Sequence, residues 1–372
     1  MVRMHIIVSP DSFKGSLDAA TVATTIAEAI HAVQPSFTVT KLPVADGGEG
    51  TLEALVAATN GHYIQATVQD PLHRPIETCY GILGNGSTYI IEIAKASGLP
   101  HLSVEERNPL LATTYGTGQL IRDALDNGAR HFIIGIGGSA TNDGGLGMLR
   151  ALGMKFYDAA QREITVPRDL QRLVRLDATH FDERIAACTF TIACDVDNPF
   201  VGPNGASAVF GPQKGATSST VDILDANLTH FANKIAETGR LALHHLAGAG
   251  AAGGLGGAFL AFFPATLQSG IDVVLDAIQI DEALAQADVI LTGEGKSDKQ
   301  TLSGKAAMGI LKRANKFGVH TILVAAIIED RDALQNYFDE MYALVEGTVT
   351  AKMTRANPKK YLYAKVIDIM TT

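Results

Sequence analysis

Cysteine is scarce in this chain. Its 372 residues hold only three, Cys79, Cys188 and Cys194, with no CxxC pair among them. An odd count without close pairs points to neither a disulfide framework nor a zinc site. Buried, reduced thiols of a cytoplasmic protein are the expectation. No HExxH occurs among the 11 histidines, which removes a helix-borne zinc protease centre. Charge is sparse too: 19% of residues, 30 basic against 39 acidic, for a net −9. No basic run is present, so a nucleic-acid or anionic-membrane surface is not expected. Long apolar runs are also missing. His5–Val8 is too short for the core of a signal peptide. Gly248 to Phe263 falls short of the roughly 20 residues of a membrane span. Rich in glycine and alanine, it reads as a tightly packed loop and helix.

What is present is apolar bulk and glycine. Hydrophobic residues make up 47% of the chain, enough for a large core, and the length suits two domains. The opening alternates strand and helix. His5–Val8 and Thr38–Leu42 read as strands; Leu17–Val33, capped by Ser16, and Thr51–Thr59 read as helices. The apolar stripe of the first helix is read as Leu17, Ala20, Ala23, Ala27, Ile30 and Val33. Such a βαβα rhythm implies an α/β fold with a parallel sheet. The middle carries strands at Tyr89–Ala94, His131–Ile136 and Thr189–Ala193. Helices there are read at Gly118–Asp126, Gly147–Leu152 and Val221–Thr238. The opening rhythm returns with strand Val289–Thr292, helix Lys305–Lys316 and strand Thr321–Ala325. The Asp70–Pro75 segment marks the best exit from a first domain, and a return falls near Ala287.

Six polar loops interrupt this rhythm. The first, Pro10–Ser16, follows a strand and leads to a helix, where ligands of parallel sheets sit. Its Asp11, Ser12 and Lys14 can hold an anion, or form an ordinary turn with a solvated lysine. The second places Asp46 and Glu49 among Gly47, Gly48 and Gly50, so the two acids can converge on a metal or on hydroxyls. Glu49 can instead simply favour a helix dipole. The third, Gly135–Ala140, matches G-x-G-x-x-A, with Asp158 near the distance of a ribose acid. The Thr141–Gly145 run interrupts where a dinucleotide helix should already be under way. Anion binding by the N–H groups of Gly137, Gly138 and Ser139 fits better.

The fourth loop holds Asp195, Asp197 and Asn198 after the Thr189–Ala193 strand, and Gln213 and Lys214 lie on its long continuation. Paired oxygens at a strand end suit Mg²⁺, or one Asp can accept a hydroxyl proton; a plain turn is the competing reading. The fifth, Gly248–Gly254, repeats G-x-G-x-x-G but follows a helix-like run, so close packing competes with nucleotide contact. The sixth, Gly293–Asp298, carries Glu294, Lys296 and Asp298. Its Gly-Lys-Ser is not a Walker A loop, because Ile290 stands where the first glycine is required.

Taken together, these segments resemble the bacterial-type glycerate kinase family. The resemblance rests on Pro10–Ser16, Pro43–Thr51, Ala96–Leu99, Thr114–Gly118, Gly135–Gly145, Cys194–Pro199, Phe210–Gly215, Gly248–Gly254, Thr292–Lys296 and Gln300–Lys305, in that order. It runs from Ile6 to Lys305 and fades toward the end. Three places depart from its pattern: Ser9 stands where alanine is expected, Ser297 and Lys299 lie in a stretch the family fills differently, and Ala325–Asp330 lacks a glycine. The family implies two α/β domains. One is Rossmann-like, built from residues 1–70 and 287–372; the other, 71–286, is inserted into it, with the active site in the cleft between them.

The resemblance further implies ATP and Mg²⁺ as cofactors and transfer of the γ-phosphoryl group to glycerate, D-glycerate with 2-phosphoglycerate as product. On that reading Asp195 is the base, with Lys14 and Lys296 the other catalytic residues. Asp195, Asp197 and Glu294 are the metal candidates. Asp11, Ser12, Asp46, Glu49, Gly137, Gly138, Ser139, Lys214, Glu294 and Asp298 are the substrate and phosphate candidates. The partners are then glycerate and ATP, with no nucleic acid and no membrane. A kinase of another small hydroxy acid, a dehydrogenase using the Gly135 fingerprint, and a non-catalytic sugar-acid sensor are the alternatives.

Overall fold

A computed structural model describes residues 4–303 and 306–371. It is a mixed α/β structure whose sheets are largely parallel. The chain divides into two compact units: residues 1–46, 53–61 and 271–372 form one, and residues 47–52 and 62–270 form the other. Among the described residues, no helix is long and apolar enough to cross a membrane.

The unit built from both chain ends centres on a five-stranded parallel sheet. In spatial order its strands are Glu340–Ala343, His320–Ala325, Val289–Gly293, His5–Pro10 and Thr38–Lys41. Side chains alternate across the strands. Ile6, Val8, Leu291, Ile322 and Val324 therefore meet helices Ala19–Val33 and Pro358–Thr371 on one face. Leu323 meets Ala307, Met308 and Leu311 of helix Ala306–Phe317 on the other. The chain first builds to one side of His5–Pro10 and later to the other, so strand order reverses between His5–Pro10 and Val289–Gly293. Open α/β sheets bind ligands at the carboxyl ends of strands flanking such a reversal.

The first helix begins at Ala19, not Leu17. Asp18 caps it, its Oδ1 accepting from Thr21 N at 2.7 Å, because its carboxylate reaches the open N–H groups that Ser16 does not. Ser16 instead closes a tight turn in which its N–H donates to Phe13 O, with Gly15 at φ +75°. The buried face of that helix takes Ala23, Ala27 and Ile30 from the stripe read in the sequence and adds Val22, Ile26 and Ala29, while Leu17, Ala20 and Val33 are only partly buried. The helix start read at Lys305 lies outside the described residues.

The second unit carries a six-stranded sheet in the order Ala265–Gln268, Thr189–Ala193, His131–Gly135, Thr88–Glu92, Pro75–Ile82 and His62–Gln69. The first four strands are parallel, and the last two form an antiparallel hairpin. Its core stacks Phe132 on Phe190, ring centroids 4.5 Å apart, with Phe259 and Phe263 packed against them. The Asp70–Pro75 segment, read as a domain exit, is the turn of that hairpin. Buried Asp70 organises it by accepting from Leu72 N, Arg74 N and Arg74 Nε. Turn chemistry and linker chemistry share Pro, Asp and charge, which is why the sequence reading placed an exit there.

Two of the departures from the family pattern have local explanations. Buried Ser9 donates its hydroxyl to Leu42 O at 2.7 Å and so ties two neighbouring strands. Ile327–Ile328, within the glycine-free segment, is a short strand parallel to Lys296–Ser297. Gly293 sits at the strand reversal, where a Cβ would overlap the carbonyl oxygen of Val324. Gly293→Ala is expected to cost about 1–3 kcal/mol through overpacking. That is a drop of several degrees in Tm at about 2–4 °C per kcal/mol. A thermal melt that superimposes on the wild type would remove the close-approach argument.

Candidate active site

The carboxyl ends of the reversing strands open on a cavity of about 400 Å³. Asp11, Ser12 and Lys14 from the first loop line it, with Asp46 from the second and Glu294, Lys296 and Asp298 from the sixth. Loops far apart in the chain thus meet because their parent strands pair in parallel, Pro10 opposite Gly293.

Asp11 is the most constrained of these residues. Its N–H donates to Gly293 O at 2.8 Å, which welds the two loops, and its Oδ1 accepts from Ser12 N at 2.6 Å. Only 8% of the residue is exposed. Burial, with the neighbouring negative charges of Asp46 and Glu294, pushes its carboxyl up to about 6 against the pull of Ser12 N–H and Lys14. Glu294 is buried as well. Its Oε1 accepts from Thr301 Oγ1 at 2.6 Å and Ser297 Oγ at 3.1 Å, so two hydroxyls aim the carboxylate.

The lysines occupy the open side. Lys14 is three-quarters exposed and stands 3.7 Å from Asp46 Oδ2. Lys296 lies 2.9 Å from Glu329 and 3.4 Å from Asp298, and the Glu329 hydrogen bond holds its ammonium above the usual lysine range. Exposed pairs of this kind contribute little to stability, so both lysines can meet an incoming anion at small cost. The cavity also has a wall that the sequence reading did not find. Ile327, Leu344, Ala351, Thr354, Arg355 and Pro358 complete it. These residues carry no motif; strands Ile327–Ile328 and Glu340–Ala343 and helices Ala351–Ala356 and Pro358–Thr371 bring them here.

The other predicted residues belong to the second unit. Gly137, Gly138 and Ser139 follow strand His131–Gly135, with Gly138 at φ +70°. Lys214 is almost fully buried beneath them. Its Nζ donates to Ser139 Oγ at 2.8 Å and to Thr141 O at 2.6 Å, and burial pulls the ammonium down to about 7. In this arrangement Lys214 braces the glycine loop from below. Asp143, also buried, accepts from the N–H groups of Thr114, Gly145 and Gly147 and from the Thr114 hydroxyl. The fifth loop packs against this one: Gly253 O accepts from Gly144 N, and a Cβ at Gly253 would overlap Thr141 O.

The helix that a dinucleotide fingerprint needs starts only at Leu146. Asp158, its would-be ribose acid, closes a turn with Ala160 N, Arg162 N and the Arg162 guanidinium. Asp195 and Asp197 are exposed at the end of strand Thr189–Ala193, and Asp195 Oδ1 accepts from Gly270 N at 2.8 Å. Glu49 is exposed on the turn before helix Thr51–Thr59.

Acidic and basic side chains gathered at the strand reversal of a parallel sheet define an α/β enzyme site built for a charged small molecule. The family model described as "Glycerate kinase family" matches residues 6–372. The glycerate kinase of Bacillus subtilis (strain 168) is 45% identical over 98% of this chain and 97% of its own. The glycerate 2-kinase of Escherichia coli (strain K12) is 44% identical over 88% and 86% respectively. The crystal structure of a putative glycerate kinase 2 from Salmonella typhimurium LT2 aligns with TM-score 0.91 at 41% identity, covering all of this chain and 98% of that one. The chain belongs to the glycerate kinase family and is an enzyme of the kinase class.

The raised Asp11 pKa has a consequence for stability. Native Asp11 holds its proton to about pH 6, against an ordinary 3.8. Stability therefore falls as pH rises from about 4 to about 6 and stays reduced above that, by an amount on the order of 3 kcal/mol. Asp11→Asn keeps the acceptor for Ser12 N and removes the charge. It is expected to melt several degrees above wild type at pH 8, with the two curves converging below about pH 4. Equal Tm values at pH 8 would contradict the assigned burial.

Proposed function

We propose that this enzyme transfers the γ-phosphoryl group of ATP to a hydroxyl of D-glycerate, giving 2-phosphoglycerate and ADP. The observation that carries the reading is the strand-reversal cavity, where Lys14 and Lys296 face the crowded carboxylates Asp11, Asp46 and Glu294. Membership of the glycerate kinase family supports the choice of acceptor.

Phosphoryl transfer asks mainly for positioning and charge neutralisation. Lys14 and Lys296 oppose the negative charge of the reactants. The acceptor hydroxyl attacks the γ-phosphorus, the bond from that phosphorus to the β-bridging oxygen breaks, and ADP leaves with the bond's electron pair. Asp195, in the second unit, is the proposed acceptor of the hydroxyl proton, its carboxylate oriented by Gly270 N–H. Gly137, Gly138 and Ser139 offer backbone N–H groups to an anion, and the Lys214 brace keeps that loop in shape.

Mg²⁺ fits the donor set of the cavity. Among the described residues no group of three or more His, Cys, Asp or Glu side chains is arranged around a metal. Mg²⁺ bound with a nucleotide needs only one or two carboxylates beside phosphate oxygens and water. Asp11 and Glu294 would hold it, since a divalent cation offsets the burial and the like charge that raise Asp11. When bound, the ion screens charge on the phosphate oxygens. Asp197, exposed beside Asp195, is the weaker ligand candidate.

The test is ADP release measured by a coupled assay with ATP, Mg²⁺ and D-glycerate, the product isomer being identified by NMR. Turnover is expected with D-glycerate and lost on chelation with EDTA. Absence of D-glycerate-dependent ADP would end the proposal, and 3-phosphoglycerate as product would correct its regiochemistry. Asp195→Asn and Glu294→Gln are each expected to lower kcat by at least 100-fold, on the scale of general-base and electrostatic contributions, while far-UV circular dichroism stays unchanged. Near-normal kcat in Asp195→Asn would take the base role from that residue.

A further inference from the structure

The cavity at the strand reversal has two chemically different ends. One carries Lys14, Lys296, Asp11 and Glu294. The other, toward strand Glu340–Ala343 and the helices that follow it, is walled by Leu344, Ala351 and Pro358. A three-carbon hydroxy acid takes the room of roughly four waters, on the order of 120 Å³ at about 30 Å³ each. The cavity measures about 400 Å³, so such an acid would leave most of it empty. Glycerate also has no apolar face to bury against Leu344 and Pro358. A nucleotide has both a flat, weakly polar base and a charged tail, and ligand sites in this size range pair an apolar lining with a few fixed polar groups.

We infer that this cavity is the nucleotide subsite, with the purine base against Leu344, Ala351 and Pro358 and the phosphates running toward Lys14 and Lys296. The assignment rests on the phosphotransfer reading above and adds which ligand this cavity takes. Its polar end lies where parallel sheets receive phosphates, between the loops after His5–Pro10 and Val289–Gly293. Its apolar end lies past the neighbouring strands His320–Ala325 and Glu340–Ala343, a direction in which an extended ligand can run along the sheet edge. Arg355, exposed on helix Ala351–Ala356, adds positive charge on the rim.

Two measurements test this with the full chain. Ala351 is only partly buried, so Ala351→Trp fills the apolar end with little demand on the core. Isothermal titration with Mg-ADP is expected to show at least tenfold weaker binding in Ala351→Trp than in wild type, while KM for D-glycerate at saturating ATP stays within twofold. Unchanged ADP affinity overturns the assignment. If KM for D-glycerate rises while ADP affinity holds, the cavity belongs to the hydroxy acid. The second measurement needs no variant: wild-type protein is photolabelled with 8-azido-ADP and digested. Label on peptides within residues 326–358 supports the assignment, and label confined to other segments overturns it. Wild-type protein that binds Mg-ADP at this cavity yet releases no ADP with D-glycerate upholds the subsite and removes only the glycerate reading.

Discussion

One parallel strand pairing holds the site together. His5–Pro10 lies beside Val289–Gly293 in register from Ile6 and Val289 to Pro10 and Gly293, and the Asp11 N–H to Gly293 O bond extends the ladder past the strand ends. Two loops near opposite ends of the chain thereby open side by side. The entropy of closing so long a loop grows only slowly with its length, and here it is offset by a continuous apolar core. Ile6, Val8, Leu291 and Val324 pack under the helices of both chain termini. Without that pairing Lys14 and Glu294 would share no surface.

The same pairing places like charges close together. Asp11, Asp46 and Glu294 act on one another inside a partly dehydrated hollow, where burial, with their repulsion, raises the Asp11 carboxyl. A protein selected for stability alone would place apolar or oppositely charged groups there. Retaining the acids at a destabilising site is the familiar opposition between stability and activity. Elsewhere, buried Asp143 receives five hydrogen-bond donors, and Lys214 donates to Ser139 and to Thr141 O. Both residues hold the glycine loop in shape.

Much of the fold was legible along the chain. Strand Thr189–Ala193 and helix Thr51–Thr59 fall where the sequence pattern places them. The loops after His5–Pro10 and Val289–Gly293 were recognisable as chemistry-bearing because lysine, carboxylate and glycine recur at strand ends. Errors gathered where one residue type serves two local structures. Ser16 and Asp18 both make acceptable helix caps, and the turn around Phe13 takes Ser16 out of the helix and leaves Asp18 just before its first residue. Asp70–Pro75 has a linker's composition but folds as a hairpin turn around a buried carboxylate. Lys214 is buried under its loop, where the Ser139 hydroxyl and Thr141 carbonyl accept from it, an environment no local pattern announces.

The sequence alone determined the α/β rhythm, the family and the identity of the charged loops. Each of these follows from short-range patterns: apolar periodicity, glycine placement and the order of motifs. Only the tertiary structure decided which loops share a cavity and what closes its far wall. Leu344, Ala351 and Pro358 bear no signature, because an apolar side chain lining a ligand site is chemically the same as one lining a core. What separates the two is the space left in front of it, and that space exists only once the strands have paired and the last helices have packed.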